Sequence, residues 1–350
     1  MIKSFEEIKA QGGLNFQEFE SKRVEAMARN KKGLMLGGIA GGAVALIGII
    51  LMVVGNAGLG IFLIFIGLIV FGVWFAIVNS KVKKELKTKI LGDLAKGIDP
   101  SFSYSMGNKE FMTEFRRSGF VKATSGTTVD DVFLGQYNGM NFGFGEVKVV
   151  RKSGSGNNSS TVTVYQGPFA YVETSQNYPY TSIIPDTMEK LLGGVGRLLQ
   201  KTDITRLNQK LLKIEEDQEF EKYYAVWSKD EGVTKGILNP EFRNYLTGLA
   251  TLHKTYIGWR DNKIYFGMDN RRDLFNIKLK NVINESIVRK FYEDFAGYYN
   301  ILENVISYVT TGTGAGSHSA QPNADMSDAP PPTDVPPPNS EYYGENKNEA

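Results

Sequence analysis

The chain has 350 residues, with 40 Lys and Arg against 38 Asp and Glu, no cysteine and two histidines. A chain without cysteine cannot form disulfides, run thiolate catalysis or hold a Cys-ligated zinc. The charge is also unevenly spread: residues 1–97 carry +6, residues 98–309 carry +1 and residues 310–350 carry −5. With so little excess base in its central body, the chain has no footprint for a nucleic-acid partner.

Residues 1–32 hold a helix start at Asn15-Phe16-Gln17-Glu18, where a capping side chain is followed three positions later by glutamate. Phe16, Phe19, Arg23 and Met27 then give only a thin apolar stripe, which predicts a cytoplasmic surface helix.

Residues 33–80 run for 48 positions without a charged side chain, closed by Lys31 and Lys32 before and by Lys81, Lys83 and Lys84 after. One membrane crossing takes about 20 apolar residues, so the run holds two spans, 33–55 and 59–79, with a turn at residues 54–58. Basic residues flank both outer ends and the turn carries none, which predicts both termini on the cytoplasmic side of the inner membrane. Trp74 is expected as an interfacial anchor. Gly33, Gly37 and Gly41 form a flat strip on the first span. Such a strip serves packing against the second span, self-association or another membrane protein.

After the spans, Val82, Leu86, Ile90 and Leu94 recur every four residues, predicting an amphipathic stalk over residues 81–97 that Gly97 and Pro100 end. Residues 98–309 mix both periods. Phe111, Phe115 and Gly119 mark a short helix. Strands at 132–137 and 140–149 flank Asn138-Gly139, a strong hairpin signal. Residues 151–160 read as a loop, and 161–174 as a strand interrupted at Gly167-Pro168. Residues 186–200 have helical spacing weakened by Gly193, Gly194 and Gly196. Strands are predicted at 223–228 and 233–238, and a helix opens at Asn239-Pro240. Its buried face is Phe242, Tyr245, Leu246, Leu249 and Leu252. A second hairpin is predicted from 256–260 and 263–268 over Asp261-Asn262. A last helix spans about 286–308, with Ile287, Phe291, Phe295, Tyr298, Leu302 and Val305 inward. The fold class is therefore α+β: a two-span helical hairpin followed by a mixed, largely antiparallel sheet domain with helices. Residues 310–350, acidic and rich in proline, are predicted to be disordered.

The body resembles a bacterial membrane-anchored family, the domain of unknown function numbered 3137. The resemblance rests on several motifs in order: the helix from Phe111 to Ser118-Gly119, Asp130-Asp131 with Gly135, the strand ending at Glu146, and Tyr165-Gln166-Gly167-Pro168-Phe169. Its strongest part is the acidic stretch from Glu216 to Asp230, followed by Leu238-Asn239-Pro240, Asn262-Lys263-Ile264-Tyr265 and Asp273-Leu274-Phe275. Gly236 and Tyr224 depart modestly from the pattern. The resemblance implies two spans ahead of the domain and a membrane location, and implies no activity.

Candidate chemistry is sparse. His318 lies in the tail, and His253 ends the Pro240 helix, where a partly protonated imidazole suits the helix dipole. Gly193-Gly194-Val195-Gly196 sits inside a helical pattern rather than after a strand, the wrong context for a phosphate loop. Asp130 and Asp131 open one strand of the first hairpin and Glu146 lies on its partner, so the three could converge as a cation site or acid/base pair. Dispersed carboxylates capping turns are the more ordinary outcome, and that is what is expected. The Glu215–Glu221 cluster reads as a solvated turn. Tyr165, Phe169, Tyr171, Tyr178, Tyr180, Tyr223, Tyr224 and Trp227 lie on extended segments; core packing accounts for most, and an outward-facing subset would form a docking surface.

No catalytic, cofactor-binding or metal residue is assigned, and no cofactor is implied. The preferred reading is a non-enzymatic interaction or scaffold module held at the inner membrane, with the lipid bilayer as its first partner. The competing one is a cation-dependent or hydrolytic enzyme built on Asp130, Asp131 and Glu146.

Overall fold

A computed structural model describes residues 2–121, 126–153, 160–186 and 209–312. Residues 313–350 of the expected tail, 154–159 of the expected loop and 187–200 of the expected helix with its glycines lie outside the described residues, whereas 310–312 continue the last helix and 151–153 continue a strand.

Helix α1 (Phe5–Ala10) is closed by a reciprocal capping box between Ser4 and Glu7. Helix α2 (Phe16–Val53) starts where Asn15 accepts from the Glu18 N–H. Gly55 at φ +96° turns the chain into α3 (Ala57–Ile98). Both helices are long and apolar enough to cross a membrane. Only 17% of the most apolar stretch of α2 and 6% of that of α3 is buried, whereas a core helix would be mostly buried.

The two helices meet through their glycines. A Cβ on Gly33 would fall 2.6 Å from Val78, one on Gly37 within 2.3 Å of Trp74, and one on Gly41 within 2.7 Å of the Gly67 carbonyl. The strip predicted at Gly33, Gly37 and Gly41 is thus filled by α3 of the same chain. This is the packing against the second span that the strip was expected to serve. Trp74 Nε1 donates to the Gly33 carbonyl at 2.8 Å, so this residue also ties the helices together.

At ~1.5 Å per residue α3 is roughly 63 Å long, about twice the ~30 Å hydrocarbon thickness. Its second half enters the body: Val82, Leu86, Ile90, Leu91, Leu94, Ala95 and Ile98 are buried there. The N-terminal part of α2 lies on the surface of the body, with most of its side chains exposed and a thin stripe turned inward. Phe19 and Ala26 are buried in the same core, and Arg23 donates to the Leu279 carbonyl at 2.7 Å while pairing with Glu20.

The body is built on one antiparallel sheet. It comprises β1 (Ser103–Ser105), β2 (Gly126–Tyr137), β3 (Met140–Ser153), β4 (Ser160–Pro185), β5 (Lys210–Leu212), β6 (Tyr224–Ser228) and β7 (Lys254–Asp269), in the order β1-β2-β3-β4-β6-β5 with β7 on β4. Strand β7 lines one edge of the 26-residue β4, while β3 and then β6 share the other. The Asn138-Gly139 hairpin is present, with both residues at positive φ. One sheet face packs on the body half of α3 and on α5 (Gln218–Tyr223), α7 (Pro240–Leu252) and α8 (Glu285–Gly312). The other packs on α4 (Lys109–Ser118), through Phe111 and Phe115.

Two expected strand arrangements are replaced. The second hairpin does not form: residues 254–269 run as one strand through Asp261, whose φ of +55° bends the strand without reversing it. Both halves find partners on β4, from Phe169 opposite Gly267 to Ile183 opposite Ile257. Residues 233–238 are not a strand but lie in and just after α6 (Glu231–Ile237), because the Asp230 side chain accepts from the Val233 N–H and opens a helix there. In α7, Phe242, Leu246 and Leu249 are buried as predicted, but Leu252 is exposed and Arg243 takes a buried place. In α8 the inward set is Phe291, Phe295, Leu302 and Val305, joined by Val288, Tyr299, Ile306 and Val309; Ile287 and Tyr298 are half-buried at its margin.

Candidate functional site

The expected dispersal of the carboxylates is overturned in part. Strand β2 carries an irregularity between Asp130 and Phe133, and Asp131 within it has φ +51°. Aspartate tolerates this left-handed conformation better than most residues, and a bulge re-aims a side chain that regular alternation would have placed otherwise. Asp131 is 0% exposed. Glu146 follows from β3, paired across the sheet with Asp130, and is also buried. Asp273, beyond β7, completes a group whose carboxylate oxygens lie within 4.8 Å of one another. Asp130 does not join it; the side chain is half exposed.

The cluster has its own cation. Lys87 of α3 donates to Asp131 Oδ2, and its Nζ lies 3.7 Å from Asp130. Tyr104 of β1 donates to Asp131 Oδ1 at 2.5 Å. The Leu274 N–H donates to Glu146 Oε1. Burial pushes Asp131 up to about 6, against the pull of Lys87. Burial also pushes Glu146 up to about 8; the Leu274 N–H opposes this, and the charges of Asp131 and Asp273 add to it. Burial alone would lower the Lys87 ammonium, but the Asp131 carboxylate more than offsets that and raises it. The arrangement is therefore an ammonium–carboxylate pair beside a Glu146 carboxyl that burial biases toward its protonated form. Its three carboxylates have the number and spacing to hold a divalent cation, at the cost of displacing Lys87 from Asp131.

A cavity of about 190 Å³ adjoins this cluster on the side of the apolar helices, between α3 and the loops of Met106 and Asn276. Lys83, Lys84 and Lys87 line it together with Asp130.

The other candidate residues have structural places. Tyr165, Phe169, Tyr178, Tyr180, Tyr224 and Trp227 are buried, and Tyr171 and Tyr223 are half-buried, so no exposed aromatic docking face exists among them. Asp217 caps α5 and accepts from Arg243 Nε at 2.8 Å, so the acidic stretch fastens two helices rather than decorating a turn. His253 ends α7, where burial and the nearby Arg272 push the imidazole down, away from the protonated form a helix terminus would favour. Sequence reasoning missed Lys87, Tyr104 and Asp273. A trace of the first was present: Lys87 adjoins Leu86 on the stripe that faces the body.

The fold and site define a class: an antiparallel α+β body joined without a break to an apolar helical hairpin, with an internal ion pair binding the two. Residues 163–306 match the family described as "Protein of unknown function (DUF3137)". That stretch contains Asp273 but not Lys87, Asp131 or Glu146. No curated protein matches the chain. Among solved structures, the mycobacterial trehalose monomycolate transport factor A, TtfA, is similar at 10% identity over 62% of this chain and 94% of that one, with a TM-score of 0.34. A likeness that distant carries no inference about function.

Proposed function

We propose that this protein is a membrane-anchored interaction module. Its two spans hold the body on the cytoplasmic face of the inner membrane, and the body works by binding another membrane or envelope component rather than by turning over a substrate. The lysines at both outer ends of the hairpin and their absence from the turn support this orientation.

The observation that carries the reading is the continuity of α3. One helix supplies both the second apolar segment and a buried element of the body, so the body has no flexible tether and stands at a fixed height and angle. A rigid mount suits a docking platform, whose partner must meet it in one orientation. The Lys87 ammonium on Asp131 supports the non-catalytic side of the proposal, since the place an activating cation would take is already held by the chain itself.

A second reading, a cation-dependent or hydrolytic enzyme, is favoured by one specific observation: Asp131 and Glu146 converge with Asp273, and their proton affinities are raised. Extraction of the full chain in mild detergent, with elemental analysis and identification of co-purifying proteins, separates the two. A reproducible membrane partner at stoichiometric recovery, retained in Glu146→Gln, supports the module. A stoichiometric divalent metal that Glu146→Gln removes would replace it with the enzyme.

A further inference from the structure

The cavity beside Lys87 sits at a telling height. Ser80, the last residue of the uncharged run, lines its outer end, and Lys83 and Lys84 line the next turn of α3. Immediately before them Ile77 is 60% exposed, as are most apolar side chains above it. The pairing of α2 with α3 sets the level of the remaining lysines. Gly33 meets Val78, and Arg29 pairs with Glu85 at 2.9 Å, so Lys31 and Lys32 lie at the height of Lys81 to Lys84. None of these five lysines has a carboxylate partner among the described residues. They form a belt, and Lys83 and Lys84 of that belt line the cavity.

We propose that this cavity binds the headgroup of an anionic phospholipid that carries hydroxyl groups beyond its phosphate. The inference rests on the reading that α2 and α3 cross a bilayer. The phosphodiester lies between the Lys83 and Lys84 ammonium groups, which supply point charges without the geometric demands of arginine. Its acyl chains run up the exposed apolar flank of α3. Deeper in, the site changes sign: Asp130 is half exposed there, and Asn276 stands across from α3. A carboxylate accepts from hydroxyl donors and would repel a second phosphate, so the inner end selects a polyol such as glycerol. Lys87 closes the floor but is engaged by Asp131, leaving the outer lysines to hold the anion. A volume of about 190 Å³ corresponds to about six waters, enough for a phosphate and a short polyol.

The test is native mass spectrometry of the detergent-solubilised full chain with added dioleoyl phosphatidylglycerol, alongside dioleoyl phosphatidylcholine. One phosphatidylglycerol per chain should be retained in preference to phosphatidylcholine. Each lysine near an anionic surface contributes about fivefold in binding, so Lys83→Gln with Lys84→Gln should weaken retention about 30-fold. Lys31→Gln with Lys32→Gln removes the same charge at the same height outside the cavity and should change it less than about threefold. Equal losses in the two pairs would mean a diffuse basic belt and overturn the site. Unchanged retention in the first pair would overturn it as well. Glycerol 3-phosphate or inorganic phosphate displacing the lipid at micromolar concentration would assign the site to a soluble phosphate instead. A chain that spans the membrane by labelling yet retains no lipid sinks this inference alone and leaves the module reading standing.

Discussion

Lys87, on the helix that continues from the second apolar segment, donates its ammonium to Asp131, a fully buried carboxylate on the second strand of the body sheet. The pair is the charged link between the hairpin and the sheet, surrounded by apolar contacts from the same helix. Removing one partner leaves the other charged and uncompensated, which costs about 3–5 kcal/mol in comparable buried pairs. Lys87→Met should therefore lower the stability of the detergent-solubilised chain by roughly that amount, limited by proton uptake on Asp131. Lys87→Met combined with Asp131→Asn, which keeps a side chain suited to the φ of +51° and removes the charge, should recover most of the loss. Thermal unfolding of Lys87→Met, of Asp131→Asn alone and of the double variant gives the coupling, and independent, additive effects would show that the pair does not link the two parts.

The neighbouring carboxylates predict an unusual pH dependence. Asp131 is raised from 3.8 to about 6 and Glu146 from 4.5 to about 8. A carboxyl group that holds its proton more tightly when folded stabilises the fold below its unfolded pKa, and that contribution fades as pH rises through the folded value. Stability should thus fall between about pH 4.5 and 8, opposite to the trend set by salt-bridged surface acids. Glu146→Gln should flatten the upper part of that slope. Denaturant midpoints of the parent chain and this variant across the range provide the check, and parallel curves would remove Glu146 as the cause.

What the sequence disclosed and what it hid follow from range. The uncharged run at 33–80, the Asn138-Gly139 turn, the Asn239-Pro240 helix start and the Gly119 stop are local, each decided within a few residues. Asp261-Asn262 misled because a positive φ in a dipeptide can either reverse a strand or bend it, and only the 26-residue β4 beside it decides which. Residues 233–238 misled because Asp230-Glu231-Gly232 has the composition of a turn between strands, whereas the Asp230 side chain caps a helix there. The charged cluster was hidden for a stronger reason. It needs an irregular β2 to turn Asp131 inward and a lysine 44 positions away to meet it, and neither leaves a pattern in the chain.

The glycine contacts make a sharp contrast possible. Gly41 and Gly67 face each other so closely that a Cβ on either would lie 2.6–2.7 Å from the other's carbonyl oxygen, while Gly42, one residue on, has nothing within 4 Å. Gly41→Leu should force α2 and α3 apart and sharply lower the yield of folded protein. Gly42→Leu should be tolerated, since its side chain would point away from α3 into lipid. Disulfide cross-linking between cysteines introduced at Gly33 and Val78 reports the separation directly. Loss of the cross-link in both variants, or in neither, would contradict the pairing.

Topology is open to the most direct test, because the natural chain has no cysteine and each introduced one is the sole target. Asn56, between α2 and α3, marks the turn of the hairpin, and Lys229 is an exposed residue of the body just past β6. Ser228 would be a poor reporter, since its hydroxyl is buried against Thr181 and Thr234. In intact cells a membrane-impermeant maleimide should label Asn56→Cys and leave Lys229→Cys unlabelled until the membrane is permeabilised. Labelling of Lys229→Cys alone would invert the chain in the bilayer. That result would also put the lysine belt on the outer face, against the bias that normally keeps such residues inside.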